Sequence, residues 1–232
     1  MKQIILRNER IEELAFSSAR ECVVRNKSIL GGQGKRVFDV ALALVMILVL
    51  SPLLLGLALA VRLSDNGPAL FGQTRIGADG KVLKVWKFRT MVPDADLRLR
   101  EHLGCNPQAR REWQACRKLR SDPRITRLGH VLRKYSVDEL PQLFNILIGE
   151  MSFVGPRPIT EAECVLYGNS LRHYLACRPG LTGIWQVSGR NDVSYRKRVA
   201  LDRLYSTRWT PFLDIILLFK TVPVALSGRG SY

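Results

Sequence analysis

The stretch from Arg133 to Pro158, RKYSVDELPQLFNILIGEMSFVGPRP, is the densest grouping of residues able to do chemistry in this chain. Asp138 and Glu139 stand side by side where an apolar helix begins, directly after a basic segment. Nine of the residues between positions 110 and 134 are Lys or Arg, opposed only by Glu112 and Asp122. A helix N-terminus attracts phosphate through its free N–H groups and its dipole. A carboxylate placed there can hold Mg²⁺ bridging a diphosphate, or can itself attack phosphorus and form an acyl phosphate. Neighbouring arginines would neutralise charge on a phosphoryl group in transfer. Downstream, Gly155-Pro156-Arg157-Pro158 is a stiff loop able to hold one guanidinium in a fixed place.

The same residues also have a purely structural explanation. Ser136-x-x-Glu139 has the form of a capping box, and Asp138 could itself be the N-cap. Pro141 favours the second register, where it would fall at N3 and its missing N–H would cost nothing. Pro-Arg-Pro alone is equally an ordinary turn. On these residues alone, capping and catalysis both stand.

The element that must carry this constellation is unusual. Val40–Val61 is 22 residues without a charge, long enough to span a bilayer as one helix, which takes about 20. Ser51-Pro52 sits in its middle, where a kink or break is expected. Both flanks are basic: Lys35 and Arg36 before it, Arg62, Arg75, Lys81, Lys84, Lys87 and Arg89 after it. Basic flanks belong in the cytoplasm, and both obey that rule only if the segment returns to the side it entered from. Each arm, at roughly 16–21 Å, is short of the ~30 Å hydrocarbon core. A kinked span remains the alternative on residues alone. Asp39, at the mouth of the segment, is expected at the interface.

Composition narrows the classes. The chain has 232 residues, 47% of them hydrophobic, and a net charge of +16, which calls for an anionic partner: nucleic acid, an anionic membrane surface or phosphorylated substrates. Five cysteines (22, 105, 116, 164, 177) without a CxxC pair suggest packing residues in a reducing environment. His102, His130 and His173 form no ligand cluster, which disfavours a histidine metal site.

The pattern predicts an α+β, mostly helical protein with a polar appendage at 1–34, a membrane helix at 35–63 and a catalytic domain at 64–232. Residues 69–91 read as a β-hairpin around Gly77-Ala78-Asp79-Gly80. Helices are expected over 93–120, with a stop near Gly104–Pro107, and over 139–149, 160–176 and 193–208. The apolar run 211–226 reads as an amphipathic interfacial helix. Arg196-Lys197-Arg198 is expected on a solvated or headgroup face. Trp113, Trp185 and Trp209 read as core or interfacial anchors rather than sugar-stacking platforms.

Several runs, in order, resemble one family. KRVFDV (35–40) leads into the segment with Ser51-Pro52, followed by KFRTM (87–91), DPRIT (122–126), LRKYSVDELPQL (132–143), GEMSFVGPRP (149–158) and RPGLTGIWQVSGRND (178–192). Together they are similar to the bacterial sugar transferases, the monotopic polyprenyl-phosphate phosphoglycosyl transferases, over about 200 of the 232 residues. The resemblance implies a re-entrant helix broken at Ser51-Pro52, on the inner (cytoplasmic) membrane, with the catalytic domain on the cytoplasmic face. It implies Asp138 as a nucleophile that takes a hexose-1-phosphate from a UDP-sugar, releases UMP and passes the phosphosugar to undecaprenyl phosphate. Glu139 would assist by holding Mg²⁺ or by deprotonating the acceptor, and the metal would lie at Asp138 and Glu139. Arg133, Arg157 and Arg190, with Lys87 and Arg89 as weaker candidates, are carried over as phosphate or nucleotide contacts. The runs GRNDVSY and LSGRGSY resemble exopolysaccharide enzymes that load galactose-1-phosphate, making UDP-galactose the first expectation and UDP-glucose the second. Val137 and Glu150 stand where leucine and aspartate are common, and neither removes a needed group. With about 34 polar residues before the membrane segment, a minimal form is expected; a homodimer is one option for its assembly.

A nucleic-acid binder would share the charge but would not need the uncharged segment, and no nucleic-acid motif appears. A basic membrane scaffold without catalysis would share the segment but would not need Asp138-Glu139 among arginines.

Overall fold

The computed structural model describes residues 29–116, 119, 121–189 and 193–227. Most of the polar appendage, Arg190 and the end of the LSGRGSY run lie outside these residues. Helix α1, Gly32–Asp65, contains the whole uncharged segment and is 34 residues long, about 50 Å at the usual rise. It is long and apolar enough to cross a membrane, yet its most apolar window is only 11% buried.

Of the kink or break expected at Ser51-Pro52, a non-helical break is not there: the helical run continues through Pro52, which a kink within the helix would also allow. Local chemistry explains this. Pro52 has no N–H for the carbonyl of Leu48, four residues earlier. The Ser51 hydroxyl donates to that same Leu48 oxygen at 2.8 Å. The orphaned acceptor is satisfied from the next-door side chain, and the ladder resumes.

One face of α1 packs along both arms against the rest of the chain. Leu42, Ala43, Met46 and Ile47 join a cluster with Leu143, Ile146, Phe153 and Leu217. Past the proline, Leu54, Leu57, Ala58 and Val61 join Phe88 and Leu132. The opposite face exposes Val37, Leu44, Leu48, Leu55 and Leu59, a stripe with the helical repeat. Both ends are tied to the same body. Arg36 donates to the last carbonyls of α5, Ile146 O at 2.5 Å and Leu147 O at 2.7 Å, where α5 is Gln142–Ile148. At the far end Asp65 pairs with Arg89.

Lys35 and Asp39 lie four residues apart on the inward face and are both buried, Asp39 completely. Asp39 is therefore not interfacial as expected; its Oδ1 accepts from Phe153 N at 3.2 Å. Lys35 Nζ meets Asp214 Oδ2 at 2.5 Å. Asp214 also accepts from Trp209 Nε1 at 3.0 Å, and the Tyr205 hydroxyl lies 2.8 Å from Asp214 and 2.9 Å from Val154 O.

The hairpin is where the sequence puts it, β1 Leu70–Ile76 antiparallel to β2 Val82–Phe88, with Asp79 at φ 55 in the turn. The charged stretch forms α2 Ala95–Cys105 and α3 Pro107–Cys116. Helix α4, Arg127–Lys134, was not anticipated; Thr126 caps it through Gly129 N. A second, parallel pair, β3 Ser152–Val154 and β4 Gly180–Thr182, also has no sequence signature, because three residues show no periodicity. The helix expected over 160–176 divides into α6 Glu161–Tyr167 and α7 Leu171–Leu175 at Gly168, φ 46. After α8, Ile184–Val187, come α9, Tyr195–Arg208, and α10, Pro211–Ser227. On α10, Phe212, Ile215, Phe219 and Val222 are exposed on one stripe, as an interfacial helix requires. Cys164 and Cys177 pack inside as expected, whereas Cys105 is exposed.

Changing Lys35 to Met strands Asp214 as a buried uncompensated charge and should cost about 3–5 kcal/mol. Thermal melting in detergent checks this; an unchanged midpoint would refute it.

Candidate active site

Asp138 and Glu139 lie on a single 3₁₀ turn, Val137–Glu139, between α4 and α5. Neither capping register exists. Ser136 has a left-handed backbone, φ 56, and its hydroxyl caps nothing, while the N-cap position of α5 is Pro141. A non-glycine residue at positive φ is a strained conformation that the surroundings must enforce. Here it turns the chain out of α4 so that Asp138 and Glu139 enter a cleft.

The Lys87 ammonium reaches Glu139 Oε1 at 2.6 Å. Its position is set by Asn145, which is completely buried on α5. The Asn145 amide accepts from Trp86 N at 3.1 Å and donates to Lys84 O at 2.8 Å and Glu150 Oε2 at 2.6 Å. One side chain thus stands in for a strand on the β2 edge, fixing Lys87 beside the residues that open α5. Sequence reasoning passed over Asn145; the signal was one polar residue inside QLFNILI.

Arg133, on α4, donates from Nε to Thr90 Oγ1 at 2.8 Å and faces Asp138. Helix α4 comes this close because Gly129 lacks a side chain: a Cβ there would lie 2.1 Å from Thr90 O. Arg157 NH1 stands 4.0 Å from Glu139 Oε1. Its loop leaves β3 where Gly155 and Gly180 touch, and a Cβ on Gly180 would lie 2.1 Å from Gly155 N. That contact gives the glycines of the GPRP and RPG runs their role. Arg89 lines the same cleft, but its guanidinium pairs with Asp65. Lys87, Arg133 and Arg157 are brought to the acidic pair; Arg89 is turned away, and Arg190 lies outside the described residues.

The cleft holds about 1490 Å³, above the usual 300–1,000 Å³ of a small-molecule site. It has a basic half around Lys87, Arg133 and Arg157, and an apolar end formed by Leu42 and Met46 of α1 and Leu218 and Val222 of α10. Arg198 corrects the expectation of a solvated basic run. Arg196 and Lys197 are exposed, but the Arg198 guanidinium lies 4.6 Å from the Trp185 ring centre. Trp185 is 6% exposed and Trp209 bonds Asp214, so both are anchors, as expected.

Among the described residues no group of three or more His, Cys, Asp or Glu could cage a metal. The adjacent carboxylates of Asp138 and Glu139 do fit Mg²⁺, which is commonly held by one or two carboxylates plus substrate phosphates and water.

Asp138 is 8% exposed. Burial pushes its carboxyl up to about 6, Lys87 and Arg133 pull it down, and Glu139 adds to the rise. An unfolded aspartate titrates near 3.8. Between these values the folded state holds the extra proton, so stability falls as pH rises through that window and stays lower above it. Asp138→Asn removes this loss. In substrate-free protein with chelator, the variant should be more stable than wild type at pH 7.5 by about 1–3 kcal/mol. The gap should close near pH 4; a variant less stable at both pH values would contradict the burial argument.

Residues 31–228 match the family described as bacterial sugar transferase. The exopolysaccharide production protein ExoY of Rhizobium meliloti (strain 1021) is 52% identical over 203 residues, covering 88% of this chain and 90% of that protein. An undecaprenyl-phosphate galactose phosphotransferase of Salmonella typhimurium is 48% identical over 198 residues, covering 85% of this chain and 41% of the relative. A UDP-glucose:undecaprenyl-phosphate glucose-1-phosphate transferase of Escherichia coli is 40% identical, covering 85% and 41%. The chain, matched over nearly its whole described length, belongs to the bacterial sugar transferase family and is a transferase.

Proposed function

We propose that this protein transfers a hexose-1-phosphate from a UDP-hexose to undecaprenyl phosphate, as an early step in exopolysaccharide assembly. The observation that carries this reading is the cleft itself: a buried carboxylate among three cations, in a cavity whose other end is apolar and made from α1 and α10. A nucleotide sugar needs the first half, and a lipid-borne acceptor needs the second. The relatives' names point to galactose and glucose, with galactose the first choice.

In the proposed reaction the Asp138 carboxylate attacks the phosphorus that bears the sugar. The bond from that phosphorus to the oxygen of UMP breaks, UMP leaves with the electron pair, and an acyl phosphate remains. A phosphate oxygen of the acceptor then attacks the same phosphorus and expels Asp138. At pH 7 a carboxyl titrating near 6 is mostly ionised, so it is available as a nucleophile. Lys87, Arg133 and Arg157 balance the charge on the transferring and leaving phosphates. Mg²⁺ held by Glu139 with Asp138 would supply further neutralisation of the diphosphate.

The same reading places the protein on the cytoplasmic face of the inner membrane, with α1 entering and leaving on one side. Its support is that both arms of α1 pack on one body and both ends bond to it, while the outer stripes of α1 and α10 are apolar. A helix that crossed the bilayer would carry one arm away from that body.

Two experiments test this. Purified protein with undecaprenyl phosphate, Mg²⁺ and a panel of UDP-sugars should release UMP with one donor, and Asp138→Asn should lower the rate at least about 10³-fold. Full activity in that variant would remove Asp138 from the mechanism. In a cysteine-free background, single cysteines at the exposed positions Gln33 and Ser64 should both be labelled only from the cytoplasmic side. Labelling from opposite sides would exclude re-entry.

A further inference from the structure

We propose that the arm of the cleft beyond Arg157, bounded by Arg75, Glu163, Tyr195 and Arg198, is the subsite for the donor's hexose, and that the Tyr195 hydroxyl reads the configuration of a ring hydroxyl. This rests on the proposed function and adds which residues choose the sugar.

The arm begins at the reacting groups. Arg157 is 4.0 Å from Glu139 and its guanidinium lies 6.0 Å from the Trp185 ring centre, the ring that also carries Arg198 at 4.6 Å. A group attached to a phosphorus at Asp138 can enter this arm past Arg157. Arg75 projects into it from the same hairpin face as Lys87, since Phe71 pairs with Lys87 and Arg75 with Leu83 across the antiparallel register.

The groups here are fixed but underused. The Tyr195 hydroxyl is buried and has no hydrogen-bond partner among the described residues. Its ring sits edge-on to Tyr167, centroids 6.2 Å apart at 88°, and Tyr167 is itself anchored by donating to Asp202 at 2.7 Å. An unpaired buried hydroxyl is costly in a folded protein, and because Tyr195 lines the cleft a ligand hydroxyl that displaces its cover would satisfy it. Glu163 is held by the capping box of α6, accepting from Thr160 N at 2.7 Å and Thr160 Oγ1 at 2.8 Å. Its contact with Arg75 is a single long one, 3.4 Å.

The chemistry of the set selects among the three parts of the substrates. The phosphates are already provided for at Lys87, Arg133 and Arg157, and Glu163 would oppose a further one. A prenyl chain needs the apolar end on α1 and α10. A uracil ring would seek an open aromatic face, and the largest one here, Trp185, is taken by guanidinium groups. Two guanidinium donors, a carboxylate acceptor and a phenol that does both match a ring of hydroxyls, each of which donates and accepts. A site that hydrogen-bonds a particular hydroxyl rejects a substrate that presents it wrongly, because its own buried group is then left unpaired.

The test is Tyr195→Phe in the full-length enzyme. The hydroxyl has no partner among the described residues, so melting should be unchanged or raised. Rates with UDP-galactose and UDP-glucose should show the wild-type preference, as a ratio of kcat/KM, shrinking about tenfold, with inhibition by UMP unaltered. Glu163→Gln, which preserves the cap, should shift the ratio as well. An unchanged ratio in both variants, or a change confined to UMP inhibition, would overturn the assignment; the latter would make this arm the nucleoside's. A wild type that releases no UMP with any UDP-hexose would instead remove the parent reading, and this subsite with it.

Discussion

A buried ammonium cannot be left alone in a protein interior, and the arrangement around Lys35 follows from that constraint. Desolvating a charge is recovered only by an opposite charge in good geometry with its remaining bonds made. Asp214 supplies the charge, and Tyr205 and Trp209 complete Asp214. The residues involved come from α1, α9 and α10 and the turn between the last two. Tyr205 also reaches Val154 O at the end of β3, which runs straight into Gly155–Pro158. The next residue, Arg36, closes the C-terminal carbonyls of α5, the helix whose first turn follows Asp138-Glu139 and whose Asn145 holds the hairpin. Two consecutive basic residues at the mouth of the apolar helix therefore tie it to both halves of the cleft.

The reactive groups sit on this frame at some cost to stability. Asp138 is buried among cations that only partly offset its desolvation, Ser136 is held at positive φ, and the Tyr195 hydroxyl is buried with no partner among the described residues. Each is unfavourable for the fold itself, and the buried carboxyl and hydroxyl are of the kind that a suitable ligand satisfies. Such departures concentrate at functional sites, and here all three line one cleft. The apolar end of that cleft is built from helices whose outer faces are also apolar, so a lipid-anchored phosphate could reach Asp138 without its chain crossing a polar surface.

Some of this could be read directly from the residues. The hairpin was legible because Gly77-Ala78-Asp79-Gly80 separates two alternating runs. The acidic pair stood out, although residue types alone favoured capping, and it takes the φ of Ser136 and the absent cap bonds to remove that explanation. Other features are non-local. That Ser51 satisfies the carbonyl left by Pro52 depends on one rotamer. Asp39 looked interfacial because its partner, Phe153 N, is 114 residues away. Arg198 is indistinguishable in sequence from Arg196 and Lys197, and only the 3.6-residue phase of α9 turns it onto Trp185. The three-residue strands β3 and β4 exist because Gly155 and Gly180 can touch, a relation that no local pattern records.

The most direct test of the account is whether Asp138 becomes phosphorylated by the donor. Detergent-purified protein would be incubated with UDP-galactose or UDP-glucose and Mg²⁺ without acceptor, digested at low pH and analysed by mass spectrometry. The account predicts a hexose-phosphate adduct on the peptide containing Asp138, discharged by undecaprenyl phosphate and absent in Asp138→Asn. Steady UMP release that requires the acceptor, with no adduct at any time and no UMP burst without acceptor, would contradict it and point to direct transfer between the two substrates.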